Sequence, residues 1–267
     1  MNSETSTAAL PRLFKWAAVP ILLVFYLAVS LVLTALPVTG VARLRLRTGN
    51  ASFFSRLALV LFGVRARAKH RERFDAVRRK GCLVVANHVS YVDVLAISAI
   101  MPVVFVTSVE LGDTPFLGLL ARSAGCLFVE RRKASGLKRE IDTIVQRLGQ
   151  GIPVVLFPEA TTSNGDRVHP FKRSLFDAAV EARSDILPLC LRYTAINGRP
   201  VTHANRDSVF YYGGMTFSRH FPSFLGLRSV DLEISPLHTI GVHADASRKD
   251  LAEQAHELIS REYETRE

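Results

Sequence analysis

The chain has 267 residues, 48% of them hydrophobic and 22% charged, which is enough apolar material for a sizeable core and excludes a disordered chain. Its 34 Lys and Arg against 24 Asp and Glu leave a net charge of +10, so the surface attracts anions without saying whether these are lipid head groups, nucleic acid or a substrate. Three cysteines, Cys82, Cys126 and Cys190, each inside an apolar run, offer neither a disulfide framework nor a zinc site and fit a reducing compartment.

The first predicted element is the stretch from Trp16 to Ala42, which carries no charged residue and includes VPILLVFYLAVSLVLTAL. Its apolar core approaches the ~20 residues that cross a hydrocarbon layer, and it exceeds the ~7 to 15 of a secretory signal peptide. A buried soluble helix is rarely apolar on every face. A membrane anchor is therefore the favoured reading. Arg12 and Lys15 precede it, whereas Arg43, Arg45, Arg47, Arg56, Arg65 and Arg67 follow, an excess that predicts the bulk of the chain on the cytoplasmic side of an inner membrane. The segment Ala51 to Val64, ASFFSRLALVLFGV, is short and contains Arg56, so it suits an interfacial helix paired with the first. The dense basic run Arg65 to Phe74 lies just behind, where it suits lipid head groups better than nucleic acid.

From Gly81 onward short apolar runs alternate with helical patterns. Cys82 to Ala86, Val103 to Thr107, Cys126 to Glu130, Pro153 to Phe157 and Ile186 to Leu191 read as strands covered on both faces. Between them lie DVLAISAI, PFLGLLARSA, SGLKREIDTIVQRL and SLFDAAVEA, with helical spacing; in the third, Leu137, Ile141, Ile144, Val145 and Leu148 form one stripe. Such alternation predicts an α/β fold, a mostly parallel central sheet flanked by helices, preceded by the N-terminal membrane-associated helical segment. After Asn197-Gly198 the pattern changes to turn-rich segments with SVFYYGG and SVDLEI, then a polar helix from about Ala246 to Tyr263; this tail is expected to add edge strands and a terminal helix to the same domain. Residues 1–70 are expected to be the anchor and interfacial helix, and residues 71–267 one domain.

Polar clusters stand at three strand ends, where open α/β sheets gather reactive groups: NHVSYVD (87–93), ERR (130–132) and FPEATTSNGD (157–166). His88 and Asp93 are either a capped turn beside a solvated histidine or a catalytic base with its orienting carboxylate. On one regular helix they would stand about 140° apart, so pairing requires His88 in the turn and Asp93 at the start of the next helix. One histidine and one carboxylate make half a metal site, and no further cluster supports one. The chain has no G-x-S-x-G elbow for Ser90 as a nucleophile, no G-x-G-x-x-G and no P-loop. What remains is a base that activates a hydroxyl of the substrate.

These residues carry a resemblance. NHVSYVD matches the N-H-x-x-x-x-D motif of the 1-acyl-sn-glycerol-3-phosphate (lysophosphatidic acid) acyltransferases; Gly125, Phe128 and Arg131 match their G-x-x-F-x-x-R; FPEATTS resembles F-P-E-G-T-R-S; and ILPLCL resembles the fourth, proline-centred block. All four blocks stand in the family's order between residues 87 and 191. The resemblance implies that residues 71–267 are an acyltransferase domain in which His88 takes the proton of a lysolipid hydroxyl, Asp93 orients His88, and the oxygen attacks the thioester of acyl-CoA or acyl carrier protein. It further implies that Arg131 contacts the acceptor's phosphate, that Glu159 helps hold the acceptor, and that Asn87, Gly125, Phe128, Pro158, Thr161 and Lys172 belong to the substrate site. No metal or redox cofactor and no nucleic acid is implied; the partners are membrane lipids, the acyl donor and the lysolipid.

Two positions depart from the pattern. The family's Gly and Arg of the third block are here Ala160 and Thr162, which removes a guanidinium that Arg132, Lys172 or Arg173 would have to replace. The runs TTSNGDRVHPFKRSLF, YTAINGRP and YYGGM also look like the branch with lyso-ornithine lipid acyltransferases. Lysophosphatidic acid is placed first as acceptor and lyso-ornithine lipid second. The rivals are a non-enzymatic, membrane-anchored module for anionic lipid, and a thioesterase or lipase that uses water.

Overall fold

The computed structural model describes residues 12–78, 80–130, 136–243 and 245–265. Two long helices open the chain, α1 (Arg12–Ala35) and α2 (Gly40–Phe62). Pro37 closes the first, and Thr39 starts the second by accepting a hydrogen bond from the Ala42 amide on its side chain. The uncharged run expected to continue to Ala42 is thus broken earlier. The helix expected from Ala51 begins at Gly40 and takes in Arg43, Arg45 and Arg47. Those arginines are bound to carbonyls: Arg43 to Leu36 and Val38, Arg45 to Gln150, Arg47 to Ser123.

α1 packs by one stripe. Lys15, Tyr26 and Ser30 are buried, with Val19 and Leu22 packed between them, while Leu13, Ile21, Val24, Phe25, Leu31 and Val32 face outward and Leu13 is 84% exposed. α1 is one helix long and apolar enough to cross a membrane. Its inner face is nonetheless fastened to the rest of the molecule at both ends. Lys15 Nζ donates to the carbonyls of Phe62 (3.0 Å), the last residue of α2, where a cation is favoured, and Leu227 (2.7 Å), in the turn that follows the helix Phe217–Leu225. Further along, Tyr26 donates to Leu120 O and Asn50 donates to Ser30 Oγ.

At Gly63 the backbone turns left-handed (φ 76°), and a Cβ there would lie 2.5 Å from Arg228 O, so only glycine lets the chain pass from α2 into β1 (Val64–Ala68). This strand belongs to the central sheet, so the sheet begins inside the stretch expected for the anchor. The basic run after it is also not a free lipid-facing cluster. Arg65 forms a two-point pair with Asp231, and Lys69 pairs with Glu233, both on β8 (Val230–Pro236).

The chain then runs through α3 (Arg71–Val77), β2 (Leu83–Ala86), α4 (Val92–Ile100), β3 (Val104–Ser108), α5 (Val109–Asp113), α6 (Pro115–Ala124), β4 (Leu127–Val129), α7 (Leu137–Gly149), β5 (Val154–Leu156), α8 (Asp177–Ala182), β6 (Ile186–Ile196), β7 (Arg199–Pro200) and α9 (Phe217–Leu225) to β8, and ends in α10 (Arg248–Glu264). The sheet order is β1-β8-β6-β2-β5-β3-β4, with β7 paired to β6. β6, β2, β5, β3 and β4 are mutually parallel; β8 runs antiparallel to β6 and parallel to β1. The five strands expected between residues 82 and 191 are all present. The tail adds β7 and β8, but β8, which holds most of SVDLEI, is flanked on both sides rather than lying at an edge, while SVFYYGG is turn and irregular chain that follows a short 3-10 turn (Arg206–Ser208).

Alternation along the strands divides the core. Val84 and Ala86 face one layer, with α2, α3, α4 and α9, while Leu83 and Val85 face the other, with α7, α8 and α10. Ile141, Ile144 and Leu148 of the predicted stripe are buried in that second layer.

Candidate active site

β2 and β5 are neighbours in register, with Val85 opposite Leu156. Three residues beyond each stand His88 and Glu159, so two sequence motifs separated by seventy residues leave the sheet at the same level. Asn87 ties the turn to the other side. Its amide nitrogen donates to Leu191 O (2.9 Å) and its amide oxygen accepts from Leu191 N (2.8 Å), which extends the β2–β6 pairing by one side chain.

His88 Nδ1 lies 2.9 Å from Asp93 Oδ2, in the first turn of α4, as the separation of the two residues required. Four donors converge on Asp93: the backbone amides of Val89 (2.8 Å) and Ser90 (2.9 Å), the His88 ring, and the Tyr193 hydroxyl (2.7 Å). Both carboxylate oxygens are therefore acceptors, which assigns the proton to Nδ1 of His88 and the lone pair to Nε2. Nε2 has no hydrogen-bond partner among the described residues, and the His88 side chain is 17% exposed. The ring is stacked on Phe157 at 3.9 Å between centroids, which fixes its plane. The arrangement presents one basic nitrogen to solvent from a buried support, the geometry of a general base.

Ser90 is fully buried and donates to Val209 O (2.7 Å), so its hydroxyl is structural. Glu159 departs from the role that the resemblance implied. Its side chain has no exposed surface, and its two oxygens accept the amides of His88 (2.7 Å) and His169 (2.8 Å). It clamps the His88 turn to the loop after β5. Burial pushes its carboxyl up to about 7 against the pull of those two amides, with the Asp93 charge adding to the rise.

The remaining expected residues divide. Pro158 is buried and its carbonyl accepts the Lys172 amide (2.8 Å). Gly125 closes α6 in the left-handed conformation (φ 84°), and a Cβ would lie 2.5 Å from Leu44, which makes it a packing position. Phe128 is half-buried beneath the Arg122 guanidinium, 5.0 Å from its ring centre. Thr161 and Lys172 are exposed beside the site. Arg131 and Arg132 lie outside the described residues. Ala160, where the family pattern has glycine, adopts φ 60°, the backbone that explains the glycine.

Sequence reasoning missed Tyr193, Phe157 and the backbone of His169 as supports of His88. Tyr193 was legible in part: it shares the strand face of Leu189 and Leu191, and a hydroxyl on a buried face needs an acceptor. Burial, then the Asp93 charge, hold its hydroxyl well above the ordinary phenol range.

Comparison with known proteins identifies the family. The acyltransferase family matches residues 65–192. The lyso-ornithine lipid O-acyltransferase of Rhizobium meliloti is 32% identical over 248 residues, 90% of this chain and 84% of that protein; its counterpart in Brucella abortus is 32% identical over 75% of this chain and 76% of that protein. The 1-acyl-sn-glycerol-3-phosphate acyltransferase of Neisseria gonorrhoeae is 37% identical over 45% of this chain and 47% of that protein. The crystal structure of the 1-acyl-sn-glycerophosphate acyltransferase of Thermotoga maritima shares the fold, with a TM-score of 0.65 over 95% of this chain and 93% of that one at 18% identity. With a relative of this identity matched over most of its own length and the family's motifs converging on one turn, the chain belongs to the acyltransferase family.

Proposed function

We propose that the enzyme transfers a fatty acyl group from the thioester of acyl-CoA or acyl carrier protein to the free hydroxyl of lyso-ornithine lipid. The observation that carries the chemistry is the His88–Asp93 pair, with Nδ1 held and Nε2 open at the strand end. Nε2 takes the proton of the hydroxyl as its oxygen attacks the thioester carbon; the C–O bond forms, the C–S bond breaks, and the imidazolium returns the proton to the departing sulfur. Asp93 keeps the ring in one tautomer and stabilises its positive form. The proposal uses no metal, redox cofactor or nucleic acid.

For the acceptor, likeness to the lyso-ornithine acyltransferases extends over 90% of the chain, against 45% for the Neisseria lysophosphatidate enzyme. Thr162 supports the same order, since the missing arginine removes a phosphate partner. Lysophosphatidic acid, placed first on the motifs alone, remains the second reading because identity in the shared segment rises to 37%. Thiol release by the purified enzyme on a panel of lysolipids tests both. Activity on the ornithine acceptor above lysophosphatidic acid is expected, and thiol release without an acylated product would sink the transferase reading. Thr162→Arg should lower activity on the zwitterionic acceptor and raise it on the phosphate one.

The outward apolar face of α1, continued by Phe53, Leu57 and Val60 of α2, supports seating in the membrane surface. Because α1 is held along its inner face by Lys15 and Tyr26, we read it as lying beside the catalytic domain within the leaflet, with that domain on the cytoplasmic side.

A further inference from the structure

A concave pocket of about 380 Å³ opens between the turn Pro170–Arg173 and the first half of α10, within the range typical of small-molecule sites. Lys172 and Arg173 enter from the turn. Lys249, Ala252, Glu253 and His256 enter from α10 at helical spacing, and Phe171 closes the floor edge-on against the His256 ring, 5.1 Å between centroids. Three cations thus face one carboxylate. Lys249 meets Glu253 only at 3.8 Å, and among the described residues neither Lys172 nor Arg173 has a partner for its side chain. The neighbouring Arg248 is committed elsewhere, to Asp177. Such a grouping of unmatched cations in a concavity fits a ligand with several negative charges.

The pocket is joined to the catalytic turn by a short run of bonds. The Lys172 amide donates to Pro158 O, and the next residue, Glu159, accepts the amides of both His88 and His169, the latter one residue before Pro170. At its far end α10 returns to the same loop through the Tyr263 hydroxyl, bonded to Gly165 O (2.8 Å). One carboxylate, that of Glu159, bridges the His88 and His169 amides, so at ~3.8 Å per residue the three to four residues on to Lys172 and Arg173 keep the basic turn within roughly 20 Å of the His88 turn. That is within the reach of an extended phosphopantetheine arm with its thioester at His88.

We propose that this pocket holds the phosphate-bearing nucleotide end of acyl-CoA, with Lys172, Arg173 and Lys249 on the phosphates and the Phe171–His256 pair against the base. The inference rests on the acyl-thioester reading of the active site. It assigns Lys172 to the donor, whereas the motif pattern had grouped it with the acceptor's phosphate. A concave site with an aromatic wall suits a nucleotide; the convex surface of a carrier protein is the competing occupant.

The test uses the full-length enzyme in nanodiscs and the variant Arg173→Glu/Lys249→Glu. Measured are kcat/KM with acyl-CoA, acyl-dephospho-CoA, acyl-pantetheine and acyl carrier protein, the acceptor KM, and CoA binding by calorimetry. The preference for acyl-CoA over acyl-pantetheine should fall about tenfold or more, as expected for losing charge-assisted contacts, through the donor KM rather than the acceptor KM. A preserved ratio, or an equal loss on every donor, overturns the assignment. A rise confined to the carrier-protein KM also overturns it in favour of protein docking. If the wild type transfers acyl groups from no thioester yet binds CoA, and the variant does not bind it, the pocket stands and the transferase reading falls.

Discussion

The turn that carries His88 and the outer face of α1 break the ordinary rule of burial in opposite directions. Behind His88, Asn87, Asp93, Glu159 and Ser90 are buried polar groups, each matched by backbone or hydroxyl partners at 2.7 to 2.9 Å. On α1, Leu13, Val24, Phe25, Leu31 and Val32 are large apolar side chains more than half exposed. A buried polar group is kept only where something must be positioned, and an apolar face stays uncovered only where something else covers it. The first region is complete in this chain; the second, on the function proposed above, is completed by a lipid surface. They should therefore fail separately.

The largest effect is expected at the turn. His88→Ala removes the proposed base, and turnover should drop by ~10²- to 10⁴-fold with the melting temperature nearly preserved, because the ring is partly exposed and stacked on one neighbour. Asp93→Asn should match that loss and destabilise as well, since an amide cannot accept from all four donors. Full turnover of either variant would remove the base mechanism.

At the apolar face, replacing Ile21, Val24, Phe25 and Val32 together by serine removes roughly 1.5 to 3 kcal/mol of burial per side chain from membrane transfer. Liposome flotation should show partitioning reduced by more than about a hundredfold. Turnover on detergent-dispersed substrate should persist, which is the contrast with His88→Ala. Wild-type flotation would mean that this face does not meet lipid.

Glu159 sharpens the comparison through pH. Its carboxyl is raised from 4.5 to about 7, so folding favours the protonated form. The stability it contributes is complete below the unfolded value and is lost as pH rises through about 7, up to roughly 3 kcal/mol. Glu159→Gln cannot titrate there, so the stability difference between wild type and variant should shrink from pH 5 to pH 8 in thermal melts. Parallel curves would show that the burial of this carboxyl has no such cost.

Lys15→Met tests the join between the two regions. The lysine holds two buried carbonyls, so its loss should cost about 2 to 3 kcal/mol and expose α1 to proteolysis while the pH profile of catalysis keeps its shape. Unchanged proteolysis would mean that α1 is held by its apolar stripe alone. The smallest effect is expected at Ala160→Gly. Relief of the left-handed alanine should stabilise by about 0.5 to 1 kcal/mol, offset by unfolded-chain entropy, and a lower melting temperature would contradict the backbone assignment.

By itself the sequence determined the alternating strands and helices after Gly81, the His88–Asp93 pair and the family motifs, because these are local: a period of two or 3.6, a run of apolar residues, a fixed spacing in one turn. Its reading of the charges around the N-terminal helices fell short for the same reason. Arg65 and Lys69 look like a free basic cluster until Asp231 and Glu233, far away in the chain, pair with them across β1 and β8. Lys15 looks like a flanking charge until Phe62 and Leu227 close over it. Only the tertiary structure decided that Glu159 supports the His88 turn and that Tyr193 holds Asp93. Those roles depend on which strands lie side by side and on what burial leaves unpaired, and neither property belongs to any one segment of the chain.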